Sequence, residues 1–141
     1  MTARNLKHKK PLDAQVAFAA NLRGDGVAYV AIDGEDQPLR VPFHCDRRPA
    51  LLDREVAYAA LIAVASELSG QRVRSVRLAI PDERVVDDLH ERRPLPTALA
   101  LLYVQLKCRL NTFARAEVKF GPNVEDLANR ARAEVELAAA A

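Results

Sequence analysis

The hydrophobic period of this chain changes near Asp53, and this change restricts the fold more than any other feature of the sequence. Before it lie short β-prone runs separated by turn residues, at positions 15–20, 27–32 and 39–43. After it, Val56, Ala60 and Val64 recur at the spacing of one helix face. The pattern predicts a three-stranded meander followed by a central helix, and therefore an α/β domain.

Glycines mark both turns of the predicted meander. Gly24 and Gly34 each lie among polar residues between two β-prone runs, and glycine adopts positive φ without steric cost. Pro42, in the third run, has no N–H to donate to a neighbouring strand. We therefore predict that the third strand lies at a sheet edge or ends there.

The second half of the chain alternates strand and helix patterns. Asp53 and Asp82 precede helical segments and are predicted to cap them. Further predicted elements are a fourth strand at 73–80, a short helix at 83–90, a long helix from Pro96 to Phe113, a fifth strand at 116–120 and a last helix carrying Leu127, Ala131 and Val135.

The predicted order of elements is β-β-β-α-β-α-α-β-α. Helices separate the later strands, so these strands should join in parallel and form a mixed five-stranded sheet with helices packed on it. Because no break in composition or linker-like stretch follows, we assign residues 14–138 to a single domain. Residues 1–13 form a basic arm, which is predicted to be flexible.

Charge and cysteine content exclude several classes of protein. A formal net charge of +2 is too small to identify a nucleic-acid or membrane partner by electrostatics alone. Two cysteines, Cys45 and Cys108, do not make a disulfide framework, and no apolar run reaches the roughly 18 residues of a membrane span. The sequence therefore predicts a cytoplasmic protein with reduced thiols and no contact with membranes.

Three patches of the sequence resemble the ribonuclease H family. The central helix of that family typically reads Ala-Glu-Tyr-x-Ala-Leu, its fourth strand leads into Asp-Ser-x-x-Val-Val-x-x-Leu, and its last helix reads Asn-x-x-Ala-Asp-x-Leu-Ala-x-x-Ala. The corresponding segments here are Glu55-Val-Ala-Tyr-Ala-Ala-Leu61, Asp82-Glu-Arg-Val-Val-Asp-Asp-Leu89 and Asn123-Val-Glu-Asp-Leu-Ala-Asn-Arg-Ala131. With the order of elements, the resemblance extends from about Ala14 to Val135.

The resemblance implies an enzyme that cuts the RNA strand of RNA–DNA hybrids with two divalent metal ions held by carboxylates. It places the acid of the first strand near Ala19 or Ala20 and the acid of the central helix on Ala57. The acid after strand four falls on Pro81 or Asp82, depending on the register. In the last helix Glu125 matches the family's aspartate, with Asp126 beside it.

Each surviving acid also has a simpler structural interpretation. Asp82 is suited to cap a helix, and Glu125 with Asp126 would favour a helix N-terminus through the helix dipole. His44, Cys45 and Asp46 are consecutive metal-ligand types, but neighbouring residues of a strand point to opposite faces and do not converge easily. We therefore favour structural roles for these residues.

These observations lead to three functional hypotheses. We expect a ribonuclease H-like domain with a degenerate active site, which needs no cofactor and binds RNA–DNA hybrid or RNA, or serves as a scaffold. The first alternative is an active, divergent nuclease that uses magnesium or manganese with Asp82, Glu125 and Asp126 as catalytic residues. The second is a protein-interaction or oligomerisation module that uses an exposed sheet edge or the alanine-rich last helix.

Overall fold

The computed structural model describes residues 11–122 and 124–140, and within them the chain forms five strands and four α-helices. The strands are β1 (Leu12–Ala20), β2 (Asp25–Ile32), β3 (Leu39–His44), β4 (Ser75–Ile80) and β5 (Arg115–Phe120). The helices are α1 (Arg54–Gly70), α2 (Glu83–Leu89), α3 (Ala100–Leu110) and α4 (Glu125–Ala140). Short 3-10 turns cover Pro49–Leu51 and Thr97–Leu99.

The strands lie in the order β3-β2-β1-β4-β5. The first three are antiparallel, whereas β4 pairs in parallel with both β1 and β5. The predicted mixed five-stranded sheet is thus confirmed, and β3, which contains Pro42, lies at an edge as predicted. Gly24 and Gly34 adopt φ values of +90° and +88°, as their turns require.

Helices cover both faces of the sheet because side chains on a strand alternate between its faces. On β2, Val30 faces the main core, which α1 and α3 also enter. Its neighbour Tyr29 faces the other way and packs with Ala131 and Val135 of α4. None of the helices in the described part of the chain is long and apolar enough to cross a membrane.

Several predicted boundaries differ from the structure. Leu12 and Asp13 belong to β1, so the basic arm was predicted to end too late; residues 1–10 lie outside the described residues. The helix predicted from Pro96 to Phe113 is a 3-10 turn followed by α3, and α4 continues to Ala140. Asp53 precedes α1, but its side chain makes no capping hydrogen bond, since its backbone is left-handed with φ 70°.

A polar cluster of three side chains, Tyr29, Arg40 and Glu134, connects α4 to the sheet. Tyr29 donates a hydrogen bond of 2.5 Å to Glu134, and Arg40 donates from Nε to both carboxylate oxygens at 3.0 and 3.1 Å. The hydrogen bonds from Arg40 are the main cause that lowers the pKa of Glu134. The charged form of Glu134 is therefore favoured in the folded protein.

We expect the Glu134→Gln variant to lose less stability than the wild type when the pH is lowered. The folded-state pKa of Glu134 lies below its unfolded value, so its contribution is complete above the ordinary glutamate pKa of about 4.3 and is lost as the pH falls through the folded value. Urea unfolding at about pH 7 and about pH 3 measures this effect. Glu136→Gln on the same helix is the control, and an equal acid loss in the wild type and the Glu134 variant would contradict the prediction.

Candidate functional site

A cleft of about 800 Å³ opens where β1 ends, next to the start of α1. The middle and C-terminal part of α4 forms its third wall, through Arg132, Val135, Glu136 and Ala139. The remaining described lining consists of Phe18, Ala19, Ala20, Asn21, Leu22, Arg23, Arg47, Asp53 and Val56. The cleft therefore occupies the place to which the resemblance assigned the acid of the first strand.

The positions in the cleft that the resemblance assigns to acids carry apolar side chains. Ala19 and Ala20 line the cleft from β1, and Val56 packs beside Ala20 from the first turn of α1. Ala57 has no exposed surface and belongs to the main core. Val56, the residue of α1 that lines the cleft, is also apolar, so neither position supplies a carboxylate.

Arg47 joins the end of β1 to the beginning of α1 inside this cleft. Its Nη1 donates a hydrogen bond of 2.8 Å to the carbonyl oxygen of Asn21. Its Nε lies 3.2 Å from Glu55, whose side chain is 1% exposed, and its Nη2 lies 2.5 Å from Asp53. The guanidinium group thus forms ion pairs with two carboxylates and a hydrogen bond with the backbone just after β1.

The donors in the cleft do not fit a pair of magnesium ions, which require a cluster of oxygen ligands. Of the two carboxylates in its described lining, Asp53 is paired with Arg47, and Glu136 is exposed on α4. In the described part of the chain, no group of three or more His, Cys, Asp or Glu side chains is arranged to hold a metal ion. Cys45 is buried, whereas His44 and Asp46 are exposed.

Asp82 lies outside the described lining of the cleft and caps α2. Its Oδ1 accepts hydrogen bonds from the backbone N–H groups of Arg84 and Val85, at 3.0 and 3.4 Å. The side chain of Arg84 also donates to Oδ1 at 3.1 Å and to Oδ2 at 2.8 Å. Both oxygens of Asp82 are therefore engaged by protein donors.

We expect Asp82→Ala to lower the free energy of unfolding by about 1–2 kcal/mol, because it removes both the cap and the acceptor for Arg84. Urea denaturation, with and without magnesium, measures the change. Glu83 lies in the same turn and is exposed, so Glu83→Ala should alter the free energy of unfolding by less than about 0.5 kcal/mol. If magnesium stabilises the wild type but not Asp82→Asn, a metal-ligand role is favoured over the cap.

Glu125 and Asp126 begin α4 and are exposed. The cleft is lined by the middle and C-terminal part of this helix, and its described lining includes neither residue. Asn123, which begins the family-like last patch, lies outside the described residues. The structure therefore does not bring Asp82, Glu125 and Asp126 together at the cleft, and their position fits the predicted interaction with the helix dipole.

Sequence reasoning missed a second buried polar cluster, between α1 and α2. Tyr58 donates a hydrogen bond of 2.9 Å to Asp88, and Arg54 lies 3.5 Å from the same carboxylate oxygen. Burial, and then the hydrogen bond to Asp88, raises the pKa of Tyr58 far above its ordinary value. A signal was present in the sequence, because Asp88 lies three residues after Val85 on the apolar face of α2.

Comparison with known proteins identifies structural relatives but no sequence relatives. No protein-family model matches the chain, and no curated protein matches it. Ribonuclease H1 from the halophilic archaeon Halobacterium salinarum NRC-1 has a TM-score of 0.66 at 15% identity, over 89% of this chain and 99% of that one. The N-terminal ribonuclease H domain of a Mycobacterium tuberculosis protein, solved as a fusion with maltose-binding protein, has a TM-score of 0.65 at 16% identity, over 86% and 95%.

A third similar structure contains a nucleic acid. It is LC11 ribonuclease H1, isolated from compost by a metagenomic approach and solved in complex with an RNA/DNA hybrid. Its TM-score is 0.62 at 15% identity, and the match covers 89% of this chain and 99% of that one. At such low identity the likeness concerns the fold alone. Strand order, helix placement and these three structures together establish that the chain has a ribonuclease H-like fold.

Proposed function

We propose that this chain is a ribonuclease H-like domain with a degenerate active site, which binds RNA–DNA hybrid or RNA without cutting it. The observation that carries the proposal is the arginine in the cleft. Arg47, paired with Asp53 and Glu55, lies beside Ala20, one of the two positions to which the resemblance assigns the acid of the first strand. Because Arg47 already engages both carboxylates, neither is free to hold a divalent cation, and this arrangement argues against metal-dependent cutting.

The placement of Asp82 also supports a degenerate site. A metal ion at Asp82 would have to displace Arg84 from both carboxylate oxygens and compete with the cap of α2. Glu125 and Asp126 lie at the far end of α4 from the residues that line the cleft. We infer that these three acids are vestigial or structural, and that the protein needs no metal for its function.

Basic side chains at the cleft suit a phosphate backbone. Arg23, in the turn that follows β1, and Arg132, on α4, are exposed and line the cleft. The LC11 ribonuclease H1 complex shows that this fold accommodates an RNA/DNA hybrid in another protein. Contacts with phosphates and 2′-hydroxyls across a shallow minor groove would give little sequence preference, as expected for a binding or scaffold module.

Binding of a labelled RNA–DNA hybrid at several salt concentrations tests the proposal. The logarithm of the binding constant should fall linearly with the logarithm of salt concentration, with a slope of about −0.7 to −0.9 per phosphate contacted. Arg23→Ala combined with Arg132→Ala should weaken binding, whereas Arg93→Ala, which lies outside the described lining of the cleft, should not. Equal competition by an unrelated acidic polymer would contradict the proposal.

A cleavage assay separates this proposal from the active-nuclease alternative. We expect no cutting of labelled hybrid with magnesium or manganese at high protein concentration, because the described cleft lacks the necessary oxygen ligands. The control combines Asp82→Asn, Glu125→Gln and Asp126→Asn. Metal-dependent cutting by the wild type that this triple variant abolishes would establish the active nuclease instead.

Exposed apolar side chains favour a protein-interaction module as a second candidate. Leu137, on the alanine-rich α4, is 72% exposed, and Phe120, on the edge strand β5, is 54% exposed. Apolar side chains without cover are found at contact surfaces more often than charged ones. Sedimentation analysis over a range of concentrations tests this candidate, since a strictly monomeric protein would argue against self-association.

A further inference from the structure

A second cleft, of about 600 Å³, lies at the opposite end of the sheet from the first. It forms where α1 and α3 end and where β4 and β5 begin, whereas the first cleft lies at the end of β1, which runs parallel to β4. Its described lining contains two arginines and two hydroxyl side chains but no carboxylate: Ser69, Arg72, Val73, Arg74, Thr112, Phe113 and Ala114. We call the end of the sheet that this cleft occupies the basic end of the sheet.

The two arginines are not required by the helix ends beside them. The carbonyl groups at the end of α1 accept hydrogen bonds from the backbone N–H groups of Gln71, Arg72 and Val73. At the end of α3, the N–H groups of Asn111, Thr112 and Phe113 play the same role. Because the backbone satisfies these carbonyls, the guanidinium groups are not needed to cap either helix.

Neither arginine belongs to an ion pair within the described residues. Carboxylates do occur on the other side of Arg72 and Arg74, where a neighbouring cleft also contains Asp13, Asp33 and Glu35. Asp13 is already paired with Arg77 at 3.2 Å. An anion would thus approach from the side of Ser69 and Thr112, where the lining has no competing acid.

The sequence places further positive charge next to this end of the sheet. Pro11 lines the cleft that contains Arg72 and Arg74, and also a third cleft that contains Arg77 and Arg115. The ten residues that precede it include Arg4, Lys7, His8, Lys9 and Lys10, and no acid. The clefts lined by Pro11 also contain carboxylates, those of Asp13, Asp33, Glu35 and Glu117, so the excess of positive charge lies at the Ser69–Thr112 cleft and in the sequence that precedes Pro11.

We propose that this basic end of the sheet, centred on Arg72 and Arg74, is a second phosphate-binding surface that holds the backbone of a nucleic-acid strand. The planar guanidinium group can donate two hydrogen bonds to one phosphate, and the hydroxyl group of Ser69 adds an uncharged donor, whereas the hydroxyl group of Thr112 already donates to Arg109. Two guanidinium groups in one cleft, in a chain whose ten residues before Pro11 include further basic side chains and no acid, suit repeated phosphates better than one free anion. The inference goes beyond the proposed function, because it concerns a surface separate from the first cleft.

Amide chemical shifts of the ¹⁵N-labelled full chain locate the contact. The probes are a single-stranded DNA, an RNA–DNA hybrid and inorganic phosphate, each titrated separately at low salt. Either polymer should shift the amides of residues 69–74 and 112–115. Shifts only at 18–23 and 56, in the first cleft, would overturn this inference but leave the proposed function intact. Shifts only at the basic end would support this inference and count against binding in the first cleft. No shift with either polymer would overturn both.

Phosphate alone distinguishes a polymer site from a small-anion site. If inorganic phosphate at the same phosphate concentration causes the same shifts as the polymers, the surface binds a free anion and the nucleic-acid inference is overturned. A much weaker response to inorganic phosphate supports it, because only a polymer reaches several positive charges at once.

Charge-removing variants supply an independent measurement. Arg72→Gln with Arg74→Gln should reduce the salt slope for single-stranded DNA by about 1.4, the value for two phosphates. Arg92→Gln with Arg93→Gln removes the same charge from arginines that are paired with Asp87, and should change the slope much less. Equal effects of the two variants would show a general charge effect and overturn the inference. If the double variant fails to fold, Arg74→Gln alone should give about half the reduction.

Discussion

Replacing Arg47 with alanine should lower the free energy of unfolding by about 3–5 kcal/mol, the range measured when one partner of a buried ion pair is removed. The substitution leaves the carboxylate of Glu55, which is 1% exposed, without its cation. It also removes the hydrogen bond to the carbonyl oxygen of Asn21, which fixes the end of β1 near α1. Urea or thermal unfolding of the purified variant measures the loss.

Arg48→Ala provides a matched control for this substitution. Arg48 is the next residue in the chain, and its side chain is exposed, so its loss should change stability by less than about 0.5 kcal/mol. Combining Arg47→Ala with Glu55→Gln should recover part of the lost stability, because the unpaired buried charge is then absent. An Arg47 variant as stable as the Arg48 variant would contradict the role assigned to this guanidinium.

We expect an effect of similar size, about 3–5 kcal/mol, from Asp88→Ala. The side chain of Asp88 is fully buried, accepts the hydroxyl hydrogen of Tyr58 and lies 3.5 Å from Arg54. Without it, a guanidinium that is 14% exposed loses its counter-ion, and the buried hydroxyl of Tyr58 loses its acceptor. Tyr58→Phe, which removes only the hydroxyl, should cost less, about 1–3 kcal/mol.

The neighbouring carboxylate, which is also buried, tests whether the burial of the partners causes this effect. Asp87 precedes Asp88 on α2, but its partners Arg92 and Arg93 have side chains that are 62% and 49% exposed. These arginines remain solvated when Asp87 is removed, so Asp87→Ala should cost less than about 1 kcal/mol. Chemical denaturation of both variants under one set of conditions gives the comparison. Similar losses for the two would show that the buried Tyr58–Asp88–Arg54 cluster contributes little.

The order and type of the elements could be predicted from the sequence because they depend on local patterns. The helical spacing after Asp53 predicted α1, and the alternation in 73–80 predicted β4. Parallel pairing of β4 with β1 followed from the intervening helix. The predicted cap by Asp82 was also correct, because a cap involves only residues two or three positions away in the chain.

Which residue of α1 lines the cleft could not be read from the sequence. Consecutive residues of a helix differ by about 100° in direction, so Ala57 faces the core while Val56 faces the cleft. Both side chains are apolar, and no local pattern distinguishes them. The side-chain capping predicted for Asp53 failed for a related reason, since a left-handed backbone and the pairing with Arg47 turned its carboxylate elsewhere.

The amino-acid sequence alone determined the fold class, because periodicity is a local property. It also determined that Ala19 and Ala20 stand where the resemblance assigns the acid of the first strand. Only the tertiary structure decided what occupies the candidate site instead. Arg47 reaches Asn21, 26 positions earlier in the chain, and Tyr58 reaches Asp88, 30 positions later. Such pairs form only when the sheet and helices bring distant residues together, and burial then makes their charges costly to separate.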